Sequence, residues 1–198
     1  MSNHRHFIMH KPAGCLSQLQ TNQRRQQKKR LLSDFYDFPE GCMAVGRLDY
    51  YSEGLLLITT DGKLSNHIRS RDVEKEYYAE LDGIITGEAI RKLENGVEIS
   101  INGKTYTTLP CRITRTVEEA GIPPLQNTRV SRHRPVSWVS ITITEGKFRQ
   151  VRKMTGAVGF PTLRLIRIRL GHVNLGNMTA GEVQEVNKLD FDALAPEN

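Results

Sequence analysis

Asn102-Gly103 lies between Ile99-Ser100-Ile101 and Lys104-Thr105-Tyr106. An Asn-Gly link accepts the two positive φ angles of a tight turn, and extended runs on both sides then close as a hairpin. That pair commits this part of the chain to antiparallel pairing. Similar punctuation recurs. Strands are expected over residues 6–10, 15–19, 43–47, 55–59, 74–81, 109–117, 136–143 and 163–170, the last with a bulge where its apolar phase switches at Leu165-Ile166. A turn is expected at Asp61-Gly62 and a mobile polar loop over 20–30. Helices are expected over 31–38, where Pro39 stops it, from a Thr86 cap to Asn95 with Gly96 beyond, and over 147–158. Many strands with few helices define an α+β fold whose sheet is mostly antiparallel.

A chain of 198 residues buries a core without staples, and one folded unit over 1–198 with two sub-lobes is expected. Cys15, Cys42 and Cys111 are isolated, so neither a disulfide framework nor a zinc site is indicated. His4, His6 and His10 lack suitably spaced partners and read as unpaired terminal histidines, not metal ligands. The apolar run Leu55-Leu56-Leu57-Ile58 is far too short for a bilayer, and a cytoplasmic location without membrane contact is expected. No phosphate-binding Gly-rich loop, nucleophile elbow or His-Glu-x-x-His appears, which argues against nucleotide hydrolysis and zinc chemistry.

The net charge of +6 is clustered. Arg24, Arg25, Lys28, Lys29 and Arg30 form one group, and Arg129, Arg132 and Arg134 a second. Lys147, Arg149, Arg152 and Lys153 form a third, and Arg164, Arg167 and Arg169 a fourth. One such group is an ordinary solvated face; four together point to a polyanion, and a nucleic acid is the natural candidate. The stretch 118–135, with two adjacent prolines and three arginines, is too long for a plain connection.

Between two apolar runs stands Val45-Gly46-Arg47-Leu48-Asp49-Tyr50-Tyr51-Ser52-Glu53-Gly54-Leu55. It carries a carboxylate on a loop bounded by glycines and anchored in buried strands, a good position for chemistry. Read by its residues alone, Asp49 is more often a turn former than a catalyst.

This segment resembles the Arg-Leu-Asp signature of the RsuA branch of pseudouridine synthases. The resemblance continues in order from about residue 6 to 186. Phe7-Ile8-Met9-His10-Lys11-Pro12-Ala13-Gly14 is similar to the opening strand and Lys-Pro turn, and Glu74-Lys75-Glu76-Tyr77-Tyr78 to the Lys-x-Tyr strand. Glu145-Gly146-Lys147-Phe148-Arg149-Gln150-Val151-Arg152-Lys153-Met154 is similar to the family's basic helix, and Gly159-Phe160-Pro161-Thr162-Leu163-Arg164-Leu165-Ile166-Arg167 to the strand after it. The resemblance implies two lobes around a central cleft, with Asp49 the essential carboxylate, Tyr77 the ring that stacks on the target base and Arg152 the cation paired with the Asp. Arg47 would hold the displaced strand. Arg24, Arg25, Lys28, Lys29, Arg30, Arg149, Lys153, Arg164 and Arg167 are the expected RNA contacts. Because the chain begins at the catalytic domain, the branch's small N-terminal RNA-binding module is expected to be missing. With Pro135-Val136-Ser137-Trp138, this looks most like a member acting on large-subunit (23S) ribosomal RNA, on a uridine near the peptidyl-transferase centre, as a monomer.

These residue types suit that chemistry. The product is an isomer, so no cofactor and no metal are expected. A base leaving its stack costs a few kcal/mol and needs a surface to receive it, which a tyrosine supplies. A guanidinium beside a carboxylate keeps it charged and orients it through two hydrogen bonds. Whether Asp49 attacks carbon or removes a sugar proton stays open. An alternative is a non-catalytic RNA-binding or ribosome-assembly protein on the same fold.

Overall fold

The computed structural model describes residues 4–69, 73–116 and 135–187, and the chain divides into two compact units, Met1–Val73 with Arg167–Asn198, and Glu74–Ile166. The stretch 118–135, with Arg129, Arg132 and Arg134 and read as either functional or disordered, lies outside the described residues except for Pro135.

In the first unit, β1 (His6–Lys11) pairs antiparallel with β3 (Glu53–Thr59) on one side and with β11 (Val183–Val186) on the other. The short β2 (Met43–Val45) also pairs with β3. Every residue of β3 is buried, which is why its run of Leu and Ile shows no alternation. Phe7 and Met9 of β1 join Cys15, Leu32, Leu56 and Ile58 in a core. Around Phe7 pack the rings of Tyr36 and Phe38, each with its centroid 5.5 Å away.

Several expectations for this unit are corrected. Residues 15–19 form no strand; a lone bridge joins Cys15 to Arg30. The expected helix over 31–38 shrinks to a 3₁₀ turn, Leu32–Asp34, because Phe35, Tyr36 and Phe38 gain more by packing on the core than by continuing a helix. The expected turn at Asp61-Gly62 instead opens α1 (Gly62–Ile68), where Asp61 Oδ1 accepts from the Lys63 and Leu64 amides at 2.9 and 3.1 Å. His6 and His10 are not unpaired: both are buried in β1, His6 Nδ1 sharing a bond with Thr59 Oγ1 at 2.9 Å and His10 Nδ1 donating to the Met178 carbonyl at 2.8 Å.

In the second unit, β4 (Lys75–Asp82) pairs antiparallel along its length with β8 (Val136–Ile143), which also pairs with β7 (Arg112–Thr116). α2 (Gly87–Asn95) begins at the Thr86 cap and stops at Gly96, where φ is +93°. β5 (Glu98–Ile101) and β6 (Lys104–Thr107) form the expected hairpin, Asn102 and Gly103 taking φ of 51° and 78°. α3 (Gln150–Ala157) starts three residues later than expected.

β9 (Thr162–Leu170) runs on as one strand, and β10 (Val173–Asn174) pairs with its end. The phase switch at Leu165-Ile166 marks burial of both faces, since the four residues Arg164 to Arg167 are all buried.

Candidate active site

Asp49 sits on the link between β2 and β3, and four polar contacts hold that link. Ser17 is buried and bonds Leu48 twice, its hydroxyl donating to the carbonyl at 2.8 Å and accepting from the amide at 3.0 Å. The Gly14 amide donates to the Tyr50 carbonyl at 2.8 Å, and Ser52 N–H donates to the Asp49 carbonyl at 3.0 Å. Gly46 and Gly54 bound the link at φ of +71° and +102°. At Gly54 the backbone of β9 comes so close that a Cβ would stand 2.2 Å from the Arg167 carbonyl oxygen. Only glycine meets both demands.

Beneath this link lies Lys11, completely buried, its ammonium donating to the carbonyls of Pro12 and Ser52 at 2.8 Å each. Burial pushes it down from 10.5 to about 8; Cys15, Glu53 and Asp49 pull it back up, and Arg167 pushes it further down. Lys11 therefore feels the charges of Asp49, Glu53 and Arg167. Sequence reasoning did not single out Lys11 or Glu53, although the Lys-Pro turn is a visible signal. Asp49 is half-buried and Arg47 exposed, while Leu48 anchors the loop inward.

The basic stretch 24–30, part of the loop expected over 20–30, contacts this loop through Lys29. Leu16 N–H donates to the Arg30 carbonyl and Leu32 N–H to the Gln18 carbonyl, both at 2.9 Å, and a 3₁₀ turn forms at Arg24–Gln26. Arg24, Arg25, Lys28, Lys29 and Arg30 are all exposed. Lys29 reaches across, its Nζ 4.8 Å from the centre of the Tyr50 ring.

In the second unit, Tyr77 lies on β4 opposite Ile141 and is 9% exposed. Arg152 is half-buried on α3 and donates through Nη1 to the Thr162 carbonyl at 3.0 Å. Arg149 differs from expectation. It caps α3 in the left-handed conformation, φ 53° and ψ 35°, and so lies outside the helix, which was expected over 147–158. Lys153 donates to the Ser100 carbonyl at 2.7 Å and lies over the Phe148 ring at 5.1 Å. Glu145 and Gln150 explain the start of the motif. Buried Glu145 accepts from Tyr106 OH at 2.5 Å, from Leu109 N–H at 2.8 Å and from Gln150 Nε2 at 2.6 Å, while Gln150 Oε1 caps Lys147 N–H at 2.9 Å.

Arg164 and Arg167, two of the expected RNA contacts, lie within β9. They are 6% and 4% exposed, and Arg167 Nε donates to the Leu55 carbonyl at 2.8 Å. A strand buried on both faces turns its arginines into internal struts. Among the described residues, no three His, Cys, Asp or Glu side chains gather to hold a metal ion, and no helix is long and apolar enough to cross a membrane.

The model of the family described as RNA pseudouridylate synthase matches residues 5–157, and the chain belongs to that family of isomerases. A Vibrio parahaemolyticus protein named ribosomal large subunit pseudouridine synthase E is 35% identical over 192 residues, covering 94% of this chain and 75% of its own. A protein of the same name from Xanthomonas axonopodis pv. citri is 38% identical over 171 residues, covering 83% of this chain and 84% of its own. A crystal structure of a pseudouridylate synthase shares the fold, with a TM-score of 0.77 and 24% identity over 98% of this chain and 75% of that one.

Proposed function

We propose that this protein isomerises one uridine of large-subunit (23S) ribosomal RNA to pseudouridine, with Asp49 as its catalytic carboxylate. The observation that carries the reading is the family match across residues 5–157, joined to relatives named for the large ribosomal subunit at 35% and 38% identity. In the reaction the N1–C1′ bond breaks, a C5–C1′ bond forms, C5 loses its proton and N1 ends protonated. Atoms balance without a co-reactant.

Tyr77 receives the extruded base and Arg152 is the cationic member of the catalytic set. Arg47, the exposed group Arg24, Arg25, Lys28, Lys29 and Arg30, and Arg149 and Lys153 contact phosphates. The chain acts as one catalytic domain and as a monomer in the cytoplasm, on a uridine near the peptidyl-transferase centre.

The test is product analysis of 23S RNA incubated with the protein and no cofactor, beside Asp49→Asn. Pseudouridine should form with the wild type. The variant should fold and bind RNA as before and form none. A variant keeping a tenth of the rate, about 1.4 kcal/mol of barrier, would remove Asp49 from the chemistry. RNA bound without any product would instead favour the non-catalytic alternative.

A further inference from the structure

Tyr51 stands two residues beyond Asp49 and is 68% exposed, the most exposed large apolar side chain among the described residues. Buried Leu48 and Ser52 anchor the loop on the inner side. Its position is nevertheless defined. The Tyr51 ring meets Tyr50 edge to face, centroids 4.8 Å apart and planes at 77°, and Lys29 stands 4.8 Å from the Tyr50 ring centre. On either side the backbone is tied, at Tyr50 by Gly14 N–H and at Asp49 by Ser52 N–H. A rigid, exposed aromatic beside a cationic surface is the combination by which proteins hold single-stranded nucleic acid.

We infer that Tyr51, braced by Tyr50 and Lys29, is a stacking subsite for the base of a nucleotide adjacent to the target uridine. The inference rests on the reading of Asp49 as the carboxylate at the reacting nucleotide. Two residues span at most roughly 7 Å between Cα atoms, so Tyr51 is within one nucleotide step of that centre. The Arg24–Arg30 stretch, joined to Tyr50 through Lys29, supplies positive charge for the phosphates on the same side. Because every base has a π-face, the subsite tolerates any neighbouring base and fails when the base is absent.

The experiment is a cycle of affinities on 23S RNA fragments carrying the modified uridine, mapped beforehand with the wild-type protein. Wild type, Tyr51→Phe and Tyr51→Ala are each titrated with intact RNA and with RNA made abasic at the nucleotide on either side of that uridine. Tyr51→Phe should bind as wild type, and Tyr51→Ala should bind intact RNA roughly ten- to hundredfold more weakly. On one of the two abasic RNAs that loss should disappear. An equal loss on all three RNAs, or no loss on intact RNA at unchanged thermal stability, overturns the subsite. Turnover of Asp49→Asn is scored on the same intact RNA. If that variant still isomerises, the reading of Asp49 fails, while the Tyr51 cycle, measured as binding, still decides whether the subsite exists.

Discussion

The hydroxyl of Ser17 forms both hydrogen bonds of the Leu48 backbone, donating to its carbonyl and accepting from its amide. One buried side chain thus fixes the residue before Asp49 as a neighbouring strand would.

Ser17→Ala should therefore cost stability and rate together. Leaving the Leu48 amide and carbonyl without partners costs about 2 kcal/mol. A loosened carboxylate should slow single-turnover isomerisation by at least about tenfold, while RNA affinity moves by less than about threefold. Urea unfolding and rapid-quench assays check the two parts. An unchanged rate would show that the loop is held from elsewhere.

Lys11 makes stability depend on pH in a definite direction. The unfolded chain keeps this amine protonated up to its ordinary 10.5, the folded chain only to about 8. Between those values the unfolded state binds more protons, so this group's contribution to stability rises with pH. The penalty of burying the charge, about 3 kcal/mol, is fully present below pH 8 and relieved above it. Lys11→Met removes the titration. The stability difference between wild type and Lys11→Met should shift towards wild type from about pH 7 to about pH 10, read from urea midpoints.

Replacing Arg24, Arg25, Lys28, Lys29 and Arg30 with Gln should weaken RNA binding and flatten its salt dependence. For single strands each neutralised phosphate contributes about 0.7 to the slope of log affinity against log salt, so removing all five charges should lower the slope by up to about 3.5. Folding should survive, since all five side chains are exposed. An unchanged slope would place this face away from the RNA.

Glu145→Gln should destabilise the protein by about 2 kcal/mol, read from urea midpoints, because an acceptor of three hydrogen bonds becomes a group that must place an NH₂ among donors. Tyr106→Phe in the Gln background should then cost less than in the wild type, since the strong carboxylate acceptor is already gone.

Elements set by local chemistry were legible in the chain: the Asn102-Gly103 hairpin, the α2 helix between Thr86 and Gly96, and the alternating β8. So was the place of Asp49 between two strands, which follows from order along the chain. Elements that tertiary packing overrides were not. The aromatic run 35–38 left its expected helix for the core around Phe7, and Asp61 capped a helix where a turn was the simpler local reading.

The site divides on the same line. The family resemblance of its motifs made Asp49, Tyr77 and Arg152 the expected site residues, and composition marked the basic stretch, since residue type and order are properties of the chain. Only the folded protein decided which cations reach solvent. Arg24 and Arg25 are exposed, whereas Arg164 and Arg167 are buried in a strand covered on both faces, and Lys11 is drawn beneath the Asp49 loop with its proton held less tightly. An arginine reads the same in either place along the chain; whether it meets phosphate or supports a strand depends on what packs against it, and those neighbours come from residues far away in sequence.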